Sequence, residues 1–187
     1  MKRFSLNLFV ILTIFIFGIS SISARSIKNL NPANGLIKDI LINFKDAQEK
    51  LLSLADAIPE KDYSWRPSEG IRSVSETIVH VAVANFFIPQ YLGIKSTEKV
   101  SFDMEKTVTK KADVIALLKK SFVHDNDVIS KVDVKALHDK VDFFNNHKSS
   151  KIGIILTIVT HNHEHLGQLI AYARSVGVVP PWSQKEK

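Results

Sequence analysis

The sequence predicts an all-α protein, an antiparallel four-helix bundle, and three observations lead there. Four long stretches carry apolar residues at mixed three- and four-residue spacing. Prolines, glycines and polar clusters separate them, and no segment has the convincing two-residue alternation of a half-buried strand. A length of 187 residues with 45% hydrophobic and 24% charged residues suits a single core.

The chain begins with the three parts of a secretory signal. Lys2 and Arg3 precede an apolar run from Leu8 to Ile19, and the small-residue stretch Ser20-Ser21-Ile22-Ser23-Ala24 follows. Cleavage is expected after Ser23 or Ala24, leaving residues 25–187 as one exported domain, periplasmic or extracellular, with no stable membrane span. The alternative is a retained anchor, since Phe4 to Ile22 approaches the roughly 20 residues needed to cross a bilayer. Loss of Lys2 and Arg3 takes the net charge from +6 to +4, 23 basic against 19 acidic residues. Basic residues are interspersed with acids, as in Lys110-Lys111-Ala112-Asp113, so no nucleic-acid partner is expected. The chain has no cysteine, which excludes disulfides, thiolate ligands, a cysteine nucleophile and lipid attachment at such a residue. Any metal ligands must be His, Asp or Glu.

The first helix is predicted from about Asn34 to Ile58, with Leu36, Ile37, Ile40, Leu41, Phe44, Ala47, Leu51, Leu54 and Ala55 in helical register; Pro59 stops it. Two prolines and Gly70 make residues 59–70 an ordered loop, in which Trp65 reads as a packing anchor or, alternatively, as part of a pocket lining. Ser73-Val74-Ser75-Glu76 fits a capping box and opens a second helix, which runs to about Leu92 before Gly93, with Pro89 kinking it or splitting off its last turn. The third is predicted from about Lys110 to Val132. The stretch from Asp142 to Asn146 reads as a turn anchored by two aromatics. The fourth helix spans about Ser150 to Ser175 and ends at Gly177 before Pro180-Pro181.

The chemistry concentrates in Thr160-His161-Asn162-His163-Glu164-His165-Leu166-Gly167-Gln168. At about 100° per residue, His161 and His165 share a face one turn apart, whereas His163 points about 200° from His161. A histidine pair at this spacing can bind one cation, though unliganded surface histidines explain the spacing as well. His80 lies in the apolar run Ile78-Val79-His80-Val81-Ala82, where both ring nitrogens must be satisfied away from bulk water, either as a core hydrogen-bonding residue or as a third ligand. Gln168 shares the face of the histidine pair and can orient a ligand ring or make a structural hydrogen bond. Glu164 is expected to face solvent, and Glu76 to serve its capping box. Neither the zinc-protease His-Glu-x-x-His pattern nor the Glu-x-x-His pairs of di-iron bundles are present.

Taken together, Tyr63-Ser64-Trp65-Arg66-Pro67, Gly70-Ile71-Arg72-Ser73-Val74, His80-Val81-Ala82 and His161-Asn162-His163-Glu164-His165-Leu166-Gly167-Gln168-Leu169 resemble the DinB/YfiT-like superfamily over nearly the whole mature chain. The resemblance implies a four-helix bundle with a divalent metal held by His80, His161 and His165. Zinc, nickel, iron and manganese all suit three imidazoles. It also implies a metal-dependent enzyme acting on a small molecule, either a hydrolase-like protein or a transferase that adds a small thiol to electrophiles. The exported location ranks thiol transfer lower, because reduced small thiols are chiefly cytosolic. A non-catalytic metal- or ligand-binding bundle is a second alternative, and a bundle that has kept the fold and lost the metal, its histidines serving as hydrogen-bonded core residues, is a third. No general base is visible in the sequence, and a homodimer is compatible with the helix faces.

Overall fold

The computed structural model describes residues 32–184, so the expected leader at 1–24, with its cleavage or retention, lies outside the described residues. What is described is mostly helical. Four long helices, α1 (Pro32–Ala57), α2 (Val74–Phe87), α4 (Lys111–Ser130) and α5 (Lys151–Ser175), are joined by a one-turn helix α3 (Met104–Thr107) and a hairpin of β1 (Lys140–Phe143) and β2 (His147–Ser150). No helix among the described residues is long and apolar enough to cross a membrane.

Helices α1, α2 and α5 are bounded where the sequence provides stops and caps. The Tyr63 hydroxyl donates to the Ala55 carbonyl at 2.7 Å, folding the loop after Pro59 back onto α1. Lys111 donates to the Ile58 carbonyl at 2.9 Å, placing a cation where the α1 carbonyls are free. The predicted capping box is formed: the Glu76 amide donates to Ser73 Oγ at 3.3 Å, and the Ser73 amide to Glu76 Oε2 at 2.8 Å. Pro89 splits a tight turn, Ile88–Leu92, from the end of α2, and Gly93 closes it at φ 80°, a conformation that favours glycine. Ser150 caps α5 by accepting from the Gly153 amide at 3.2 Å.

Two layers of apolar side chains reveal how the helices run. One joins Leu54 and Ile58 at the end of α1 with Val74 and Ile78 of early α2, Val114 and Leu118 of early α4, and Leu169 and Ala173 of late α5. The other joins Ile37, Ile40 and Phe44 of early α1 with Ala84 of late α2, Ile129 of late α4, and Ile154 and Ile155 of early α5. Helices α1 and α5 therefore run one way, and α2 and α4 the other. Opposed directions hold for α1 with α2 and for α4 with α5, but α2 and α4 are parallel. The chain makes that return through residues 88–110, which include α3.

The hairpin differs from the sequence expectation of no strands. Its strands are four residues each, paired antiparallel from Lys140 opposite Ser150 to Phe143 opposite His147. Asn145 turns the chain between them at φ 54°. Asparagine tolerates this left-handed conformation better than most residues with a Cβ. The predicted aromatic-anchored turn is thus the tip of the hairpin.

Candidate metal centre

Helix α5 sets His161 and His165 one turn apart, and α2, packed against it in the opposite direction, brings His80 across. The three Nε2 atoms converge, with His161 Nε2 standing 3.2 Å from His80 Nε2 and 3.2 Å from His165 Nε2. Among the described residues this is the group of three or more metal-ligating side chains whose donor atoms all lie within 4.8 Å of one another. Nitrogens held tetrahedrally at about 2.0 to 2.1 Å from zinc would stand about 3.3 to 3.4 Å apart, so the spacing fits one ion. His165 is 8% exposed, and the His80 side chain 14%, which places the cluster just beneath the surface.

The outer ring nitrogens explain why the inner ones carry lone pairs. His80 Nδ1 is 2.8 Å from Glu105 Oε1, and Arg72 donates to Glu105 Oε2 at 2.7 Å. Burial pushes the Glu105 carboxyl up, but hydrogen bonds from Arg72 and His80 outweigh it and hold its pKa below the ordinary value. An ionised carboxylate only accepts, so His80 keeps its proton on Nδ1 and turns a lone pair inward. On α5, Gln168 donates through Nε2 to the Tyr172 hydroxyl at 2.7 Å and presents Oε1 to His165 Nδ1, also at 2.7 Å. His165 is thereby set in the same way. His161 has no such outer partner, and its Nδ1 is buried without one. Burial first, then the neighbouring His165 and His80, push the His161 pKa down to about 3. Burial also lowers the pKa of His80. Three converging imidazole nitrogens, with burial disfavouring the protonated forms of His80 and His161, have the donor chemistry of a cation site.

The remaining sequence expectations fall around this cluster. His163 points away and donates to its own helix at the Val159 carbonyl, 2.8 Å distant. Glu164 is exposed. Glu76 is taken by the capping box and by Arg66 and Lys106 at 3.1 and 2.8 Å. Trp65 meets the Tyr172 ring edge to face at 5.3 Å, so it supports the residue that holds Gln168. Sequence reasoning missed Glu105 and Arg72. Glu105 lies on a one-turn helix with no periodic signal, and Arg72 figures in the sequence only within the stretch that carries the family resemblance until the fold sets it beside Glu105.

The fold has counterparts among known proteins. The family model of the DinB superfamily matches residues 43–169. A crystal structure of a DinB-like protein from Bacillus cereus ATCC 10987 superposes with a TM-score of 0.68 at 18% identity, covering 77% of this chain and 95% of that one. A DinB-like protein from Bacillus subtilis gives 0.61 at 20% identity, covering 80% and 99% respectively. These identities speak for the fold. No curated protein sequence matches the chain.

Proposed function

The chain belongs to the DinB superfamily, and on that premise we propose that it is a divalent-metal-dependent, hydrolase-like enzyme acting on a small molecule, with His80, His161 and His165 as the metal ligands. The fold is read as the family's four-helix bundle, made by α1, α2, α4 and α5. The observation that carries the proposal is the convergence of three Nε2 atoms, with the outer nitrogens of His80 and His165 held by Glu105 and Gln168. Three neutral ligands would leave a divalent cation nearly its full charge and open positions, where it would lower the pKa of a water and polarise a substrate oxygen.

The chain's own residues do the rest by positioning. Glu105 fixes the His80 tautomer, Arg72 keeps Glu105 ionised, and Gln168, braced by Tyr172, fixes the ring of His165. Zinc, nickel, iron and manganese are all admitted by such a ligand set. The tripartite leader supports an exported location, and that location favours hydrolysis over transfer of a small thiol.

Metal analysis of purified protein, equilibrated with each of the four ions and dialysed, tests the site. About one equivalent is expected in the natural sequence, falling below a tenth in His161→Ala and His80→Ala. Equal, negligible metal in all three proteins overturns the proposal. Turnover of ester or amide panels by the loaded protein supports the hydrolase-like reading; retained metal with no turnover of these or of electrophile-plus-thiol pairs supports a binding bundle instead.

A further inference from the structure

We propose that Phe87, Phe102 and Phe144 form the wall of the substrate site and take an apolar, planar body, while an oxygen-bearing end of the same molecule reaches the three histidines. This rests on the metal reading above and specifies its substrate class.

Phe87 follows His80 by seven residues, which returns it to within about 20° of the same face of α2, two turns along. The surface that presents His80 therefore continues as an aromatic one. Phe102, from the connection between α2 and α4, bridges the two: its ring lies 6.0 Å from that of His80 and 5.7 Å from that of Phe87. On the other side Phe144, at the hairpin tip, stacks on Phe87 at 5.8 Å with 26° between the rings. Three elements distant in sequence thus deliver one ring each to a strip that begins at a metal ligand.

Packing alone accounts for Tyr91 and Phe143, which lie edge to face at 4.9 Å and are part-buried. It does not account for the outer rings, since Phe102 is 47% and Phe144 41% exposed. Two half-bare phenylalanines flanking a third, beside a metal-ligand cluster just beneath the surface, leave apolar area that a ligand would remove from water at about 25 cal/mol per Å². The polar groups near the cluster are engaged with one another: Arg72 with Glu105, Lys106 with Glu76, and Gln168 with His165 and Tyr172. Arg72 and Lys106 nevertheless keep 42% and 70% of their side chains exposed, so the Glu105 side of the cluster offers a ligand polar cover and the Phe102 side an aromatic one.

Calorimetric titration of the zinc-loaded protein with acetohydroxamate and benzohydroxamate tests this. The two probes share a metal-chelating head and differ in an aromatic body. Benzohydroxamate is expected to bind at least tenfold more tightly, and the preference to fall below threefold in Phe102→Ala and Phe144→Ala while acetohydroxamate affinity stays unchanged. Unchanged acetohydroxamate binding also certifies that each variant is folded at the site. Equal binding of the two probes, or a preference that survives both substitutions, overturns the wall and leaves the metal reading standing. Failure of both probes to bind overturns the wall, and the metal content of the same samples, measured directly, shows whether the metal reading falls with it.

Discussion

Two polar clusters join α2 to α5 within the same apolar core, and they solve the problem of burial in opposite ways. In the first, Asn162 donates to Asn85 Oδ1 at 2.8 Å and to the Ile158 carbonyl at 2.8 Å; Asn85 donates to Ser121 at 3.1 Å, and Ser121 to the Leu118 carbonyl at 2.8 Å. All three residues are fully buried, and their side-chain polar atoms find protein partners. The second, the histidine cluster one residue away on α5 and five away on α2, turns three Nε2 atoms on one another and leaves His161 Nδ1 without a partner. A buried cluster that satisfies itself holds helices together and asks for nothing more. One that does not satisfy itself is what the proposed metal would complete.

The contrast can be broken most forcefully by chelation. If the histidines need a cation, stripping it from the saturated protein removes roughly 4 kcal/mol, a fall in Tm on the order of 10 °C, and His161→Ala shows no such fall. Thermal scans with and without a chelator read the difference. The asparagine layer should behave the other way: Asn85→Ala strands Asn162 and opens a cavity, costing about 2 to 4 kcal/mol in denaturant unfolding while saturating metal content is unchanged. A smaller effect separates ligand from support. Glu105→Ala leaves His80 Nδ1 without its acceptor and is expected to weaken metal affinity about 10- to 100-fold, read by competition with a chelating dye, without abolishing it.

The subtlest case lies one turn beyond Ser121. Asp125 is fully buried on α4 with both carboxyl oxygens unpartnered, and burial raises its pKa well above the ordinary value. A carboxyl whose pKa is raised by folding contributes no penalty at low pH, where folded and unfolded chains both hold the proton. It costs stability increasingly as pH rises above the unfolded value near 4. Asp125→Asn should therefore stabilise the protein by about 1 to 3 kcal/mol at pH 7, and the gain should shrink toward zero as the pH of the denaturation series approaches 4.

The sequence displayed the periodic parts of this molecule and hid the aperiodic ones. The four long helices lie within a few residues of their expected bounds because apolar spacing, a capping box and Pro–Gly stops are local signals. The hairpin was invisible because Lys140-Val141-Asp142-Phe143 is too short an alternation to stand out, and the single turn of α3 has no periodicity at all. The same division runs through the site. His161 and His165 are paired by helix geometry, whereas His80 joined them through family resemblance, and nothing in the sequence near Glu105 announces its histidine partner 25 residues earlier. Helix direction was also hidden, because apolar stripes record which face is buried and not which way the neighbour runs.

That direction has a consequence for how the protein can vary. A tight turn after α2 would have sent the next helix back antiparallel; running α4 parallel to α2 requires a passage from one end of the molecule to the other, and this passage carries Phe102 and Glu105 past His80. Topology and chemistry are therefore inherited together in residues 88–110. Substitutions within that passage can retune the surroundings of the histidines while the helical frame stays intact, whereas shortening it would reverse a helix and strip the cluster of its support at once.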